Sequence, residues 1–113
     1  MNTTLETLLT DLRTGSILFN DVLQFIAARY NHQPTAFKNG EAYNEATQNQ
    51  GSAKVFFFGK LNKLSVADTL SLFAEHYKAV LASPEGIDHQ NIRQFMANGW
   101  DGIVFEGEAL VAI

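Results

Sequence analysis

The sequence predicts an α+β fold of about five helices packed on a small, mostly antiparallel sheet. Three observations carry that expectation. Apolar residues recur at helical spacing through several stretches. Asn39-Gly40 stands between two short strand-like runs, and the C-terminal residues are strand-like again. A length of 113 residues, 46% of them hydrophobic and nine of them Phe, fits one packed domain, 1–113.

The first helix is expected to begin at Thr3. Thr3-Thr4-Leu5-Glu6 has the form of a capping box: a hydroxyl accepts from an orphan amide and Glu6 reaches back. Leu5, Leu8, Leu9 and Leu12 make one apolar stripe, which Gly15 ends. Asn20 is the expected cap of a second helix, with Val22, Phe25, Ile26 and Tyr30 on one face. Asn31-His32-Gln33-Pro34 stops it, because the residue before a proline is pushed out of the helical region.

The period then changes. Thr35-Ala36-Phe37-Lys38 and Glu41-Ala42-Tyr43-Asn44 flank Asn39-Gly40, the dipeptide that suits a type I′ hairpin with positive φ at both central residues. Phe37 and Tyr43 are expected on one sheet face. The polar stretch from Glu45 to Gly51 is expected as a loop. Ser52 then caps a third helix carrying Val55, Phe58 and Leu61. Val55-Phe56-Phe57-Phe58 would also suit a buried strand, but the spacing that runs on to Leu64 favours a helix.

Ser65-Val66-Ala67-Asp68 is a second capping box. Val66, Leu70, Phe73, Tyr77, Val80 and Leu81 predict a long helix from Ser65 to Leu81 at the centre of the core, closed by Ser83-Pro84. Pro84-Glu85-Gly86 is a turn, and Asp88 caps the next helix. Ile92, Phe95 and Met96 face the core. Gly99 takes the left-handed position after the helix, and Trp100 packs back on Phe95. Ile103-Val104-Phe105 and Ala109-Leu110-Val111 are strands on either side of a Glu106-Gly107 turn.

The totals exclude several classes. With no Cys there are no disulfides, thiolate nucleophiles or Cys-based zinc sites. A net charge of −4 argues against general nucleic-acid binding, and Lys54, Lys60 and Lys63 are separated by apolar residues into an ordinary solvated face. No apolar run approaches the ~20 residues of a membrane span. Met1-Asn2-Thr3-Thr4, followed soon by Glu6 and Asp11, lacks a signal peptide's positive and apolar regions. The expectation is a cytoplasmic monomer without a cofactor.

Three segments together resemble a known family. They are Tyr30 to Gly40, then Asn49-Gln50-Gly51-Ser52-Ala53-Lys54-Val55-Phe56, then Asp88 to Met96 with Gly99-Trp100-Asp101-Gly102. The chain resembles the HopJ (HopPmaJ-like) type III effector protein family along nearly its whole length. The resemblance implies secretion through a type III system, although the chain leaves little room for a secretion segment ahead of the domain. It implies no catalytic residues. Ala53 stands where many relatives are expected to carry Cys.

Candidate chemistry rests on a few polar residues. His32, His76 and His89 are the only histidines, and none has the spacing that puts two metal ligands on one helical face. Asp88, Asp101 and Glu75 lie near them in sequence, so an acid pair or a His and carboxylate pair would need convergence in space. His89, Asn91 and Arg93 occupy the first turns of one helix, where free amides and a partial positive charge suit a carboxylate or phosphate. The competing reading has Asn91 and Arg93 tie that helix to the Asn39-Gly40 hairpin or the C-terminal strands. Gly51-Ser52 lacks the motif of a nucleophile elbow and reads as a loop and cap.

Three functions follow. The first is an interaction or regulatory module with a protein partner, presenting an exposed apolar patch with Phe56, Phe57 or Trp100. The second is a small-molecule or anion binder using His89, Asn91, Arg93, His76 and His32 in one concave pocket. The third is a hydrolase-like enzyme acting through a His and carboxylate pair.

Overall fold

The computed structural model describes residues 4–113. Six helices and two small antiparallel sheets make up an α+β fold. Helix α1 (Leu5–Thr14) buries Leu8, Leu9 and Leu12 and ends at Gly15 with φ 75°. Its cap is Thr4, whose hydroxyl accepts from the Thr7 amide at 3.1 Å; the expected role of Thr3 lies outside the described residues. Helix α2 (Phe19–Ala27) starts one residue before Asn20. Its N-terminus is held instead by two carboxylates. Asp21 accepts from the Leu18 amide at 2.9 Å, and Glu75 accepts from the Phe19 amide at 2.7 Å.

Helix α2 also ends well before Pro34. Tyr30–His32 form β1, which pairs antiparallel with β5 (Leu110–Ala112). Three residues signal a strand weakly, and the partner that makes them one is far away in sequence. Strands β2 (Phe37–Asn39) and β3 (Ala42–Asn44) form the expected hairpin, and β4 (Ile103–Phe105) adds to β2 in the order β3-β2-β4. Asn39 pairs with Ala42, so the turn is Gly40-Glu41 rather than Asn39-Gly40. Only its first central residue, Gly40, has positive φ (59°), which is the pattern of a type II′ turn. That shift puts Phe37 opposite Asn44 on the buried face and Tyr43 on the outer one.

The core is built around α3 (Gln50–Leu61), not around a long helix from Ser65. Ala53, Val55, Phe56, Phe57 and Phe58 are all buried, so this helix is covered on every side. Its three Phe rings point three ways: Phe56 packs on Phe37, Phe73 and Phe95, Phe57 on Phe105, and Phe58 on Phe25 and Tyr30. Asn49, not Ser52, stands at its N-cap, and Leu61 turns outward.

The expected long helix is broken into α4 (Val66–Ser71) and α5 (Glu75–Ala82). Ser65 caps α4 as expected, accepting from the Asp68 amide at 3.1 Å. Leu70, Leu72, Phe73 and Ala74 are all buried, and the backbone turn at Ala74 lets residues on both sides of it reach the core. Ala74, with φ 51°, is the N-cap of α5.

Helix α6 (Gln90–Asn98) buries Ile92 and Phe95, while Met96 is exposed rather than inward. Gly99 follows with φ 62°, and a 3₁₀ turn (Gly99–Gly102) carries Trp100 back onto Phe95, edge to face at 5.0 Å. The Trp100 indole N–H donates to the Leu64 carbonyl at 3.0 Å. Among the described residues no helix is long and apolar enough to cross a membrane.

Candidate functional site

Five stretches of the chain meet around an open cleft of about 790 Å³. Strand β3 supplies Ala42, Tyr43 and Asn44. The approach to α3 and its first turn supply Gln48, Asn49, Gly51 and Ser52. Phe19, Phe73 and His76 form an aromatic side, and the start of α6 supplies His89, Gln90, Asn91 and Ile92.

The three helices that open on the cleft each begin at a residue with positive φ, left-handed at Asn49 and His89 but not at Ala74. Their N-cap residues are Asn49, Ala74 and His89, with φ of 49°, 51° and 51°. None makes a side-chain cap bond. Asp88 therefore does not cap α6. Its carboxylate is taken by Arg93, whose Nη2 donates to it at 2.7 Å. A helix start carries partial positive charge, and neither α3 nor α6 has an acid in its first turn to offset it. The acid of α5, Glu75, is turned to the Phe19 amide.

His76 and His89 come from different helices, yet their ring centres are 5.2 Å apart. Phe19 meets His76 edge-on at 4.9 Å and stacks on Phe73 at 5.8 Å. The result is a run of flat rings ending in two imidazoles.

Behind the rings lies a buried amide network. Asn44 and Asn91 bond each other in both directions, at 3.1 and 2.9 Å. Asn49 donates to the Asn44 side-chain carbonyl at 2.6 Å, and Asn39 donates to the backbone carbonyl of Asn91 at 2.7 Å. Asn91 thus lines the cleft but spends its side chain tying α6 to the hairpin, as the competing reading has it.

Arg93 and His32 do not join the site. Arg93 spans the turn before its own helix, donating to Ser83 O at 2.9 Å and Asp88 O at 2.6 Å. It holds the Asp88 carboxyl below the usual carboxylate range. His32 lies on β1 and bonds Gln50 Oε1 at 3.1 Å. Burial lowers its pKa, and the bond to Gln50 works against that. Of the five residues proposed from sequence, the cleft gathers His76, His89 and Asn91.

Among the described residues no Asp or Glu lines the cleft. Asp88 Oδ2 lies 3.9 Å from His89 Nε2, but its other oxygen belongs to Arg93. Among the described residues no three His, Cys, Asp or Glu side chains group to hold a metal ion. Sequence reasoning missed Phe19, Phe73, Gln48, Asn49 and Asn44 as parts of this site. Asn49 falls inside one of the three family-like segments, which is the signal that could have found it. The Phe residues read only as core.

A model of the HopJ type III effector protein family matches residues 5–110. A crystal structure of a protein of unknown function, VPA0580, is similar with a TM-score of 0.89 and 43% sequence identity, covering 100% of this chain and 97% of that one. No curated protein matches the sequence.

Proposed function

The chain belongs to the HopJ type III effector protein family, and from that premise we propose that it is a binding module whose site takes a small polar molecule. One observation carries the reading: His76 and His89, thirteen positions apart on two helices, face each other at 5.2 Å on an open cleft. A cavity near 790 Å³ is within the range of roughly 300–1,000 Å³ typical of small-molecule sites. The Asn network supports the same reading, because it fixes the walls before any ligand arrives, which lowers the ordering cost of binding.

A thermal-shift screen against a library of small polar metabolites tests this. At least one compound should raise the melting temperature of the wild type and leave His89→Asn unmoved. Asn is chosen because it tolerates the positive φ of that position. Equal shifts in both proteins, or none in the wild type, would count against the cleft.

A protein-binding module is the second reading. The residues first considered for it do not form a patch: Phe56 and Phe57 are buried and Trp100 is largely covered. A different surface supports it. Val80, Leu81, Pro84, Met96 and Ala97 line a shallow groove between α5 and α6, and Leu81 and Met96 are exposed there. A pull-down lost in Leu81→Ser with Met96→Ser, but kept in His89→Asn, would favour that reading over the first. The hydrolase-like reading has the least support, since the acid nearest His89 is already bonded to Arg93. For location we propose the cytoplasm, with type III export as the alternative that the family name suggests.

A further inference from the structure

We infer that the ligand of the cleft carries a carboxylate or phosphate group held between His76 and His89. The inference rests on the ligand-binding reading above and names the chemical class of the ligand.

The first support is the state of the two rings. Among the described residues neither imidazole makes a hydrogen bond. The one polar contact of either is the 3.9 Å approach of Asp88 Oδ2 to His89 Nε2, and the His89 side chain keeps 33% of its exposure. Each imidazole has an N–H donor whether neutral or charged. Two such donors on rings 5.2 Å apart can each reach one oxygen of a single carboxylate or phosphate.

The second support is the distribution of acids. The chain has 12 Asp and Glu against 8 Lys and Arg, yet among the described residues no acid lines the cleft. The two that neighbour the His residues in sequence are occupied elsewhere, Glu75 on the Phe19 amide at 2.7 Å and Asp88 on Arg93 at 2.7 Å. A cationic ligand would meet no acid among the lining residues, the nearest carboxylate being Asp88 Oδ2, 3.9 Å from His89 Nε2. An anionic one would meet two imidazoles in an otherwise acidic protein.

The third support concerns the rest of the ligand. The cleft is much larger than a bare anion, and Phe19 and Phe73 stack beside the His pair. A flat apolar body carrying the anionic group fits both parts.

Benzoate and benzamide make the test, because they share a shape and differ in charge. Nitrogen-15 and carbon-13 NMR titrations would follow His76, His89 and Ser52 with each, and with inorganic phosphate and Zn²⁺ as further arms. Benzoate should shift the two His rings and bind at least about tenfold more tightly than benzamide, and phosphate should shift the same rings more weakly. His76→Gln and His89→Asn should each weaken benzoate at least about fivefold while keeping dispersed spectra.

Equal binding of benzamide and benzoate would overturn the anionic inference and leave the cleft reading standing. Shifts with Zn²⁺ but neither anion would also overturn it, in favour of a two-His metal site. If no probe moves the cleft, the inference falls, and the metabolite screen decides the broader reading separately. Unchanged benzoate affinity in both variants would likewise overturn it.

Discussion

Asn44 and Asn91 bond each other through both ends of their side-chain amides, Nδ2 to Oδ1 at 3.1 Å in one direction and 2.9 Å in the other. Both residues are buried, and the pair joins β3 to α6 across the back of the cleft. Asn49 and Asn39 extend it to α3 and β2. Asn91→Ala should destabilise the protein by about 2–3 kcal/mol, because it removes both amide bonds to buried Asn44 and the bond from Asn39 to its Oδ1. Urea unfolding measures this. A double-mutant cycle with Asn44→Ala should return a coupling of about 1 kcal/mol or more, and additive effects would mean that the pair does not act as a unit.

Gly59 on α3 lies against Thr69 of α4 and Trp100. A Cβ there would stand 2.8 Å from Thr69 Oγ1 and 3.1 Å from Trp100 Cη2. Gly59→Ala should cost about 1–3 kcal/mol through overpacking, despite the gain in helix propensity. Gly51→Ala is the control, since its Cβ would meet Phe19 at an ordinary 3.6 Å. Thermal unfolding of the two variants should rank them clearly.

Ala74 has φ 51° and ψ −122°, a conformation that suits glycine. Relief of strain of about 1–3 kcal/mol opposes the loss of one buried methyl, worth about 0.8 kcal/mol. Glycine's added freedom in the unfolded chain costs about 0.4–1 kcal/mol more, so Ala74→Gly should stabilise the protein by at most about 2 kcal/mol. A fall in urea midpoint would mean that strain in the turn between α4 and α5 is smaller than these two costs.

Two groups have pKa values lowered by the fold and so bear on stability in acid. Arg93 bonds the Asp88 carboxylate and holds its pKa below the usual carboxylate range. The folded value lies below the unfolded one, so this contribution is present above the unfolded value and lost as pH falls through the folded value. Burial lowers His32 from 6.5, so its contribution is present above 6.5 and lost as pH falls through its lowered folded value. His32→Gln should flatten the loss of urea stability in the imidazole range. Arg93→Gln should raise the Asp88 midpoint followed by carbon-detected NMR. An unmoved midpoint would mean that the pair does not hold Asp88.

Most helices were legible because apolar spacing reports a buried face directly. The Leu stripe of α1, the helical choice for Val55 to Leu61 and the Phe95–Trp100 contact all follow from residues close in sequence. The errors share a different cause. Strand β1 exists because Leu110–Ala112 lie beside it, and the helix break at Ala74 rests on a positive φ that no local glycine, proline or cap signals. Asp88 looked like a cap until Arg93 claimed it. The His pair was invisible for the same reason: nothing local says that the rings of residues 76 and 89 stand 5.2 Å apart.

The most direct test is to map where a stabilising compound from the metabolite screen binds. Chemical-shift changes on the labelled protein should concentrate at Ser52, His76, His89 and Asn91. Changes centred on Leu81 and Met96, or spread without a focus, would contradict the claim that the cleft between β3 and the starts of α3, α5 and α6 is the functional site.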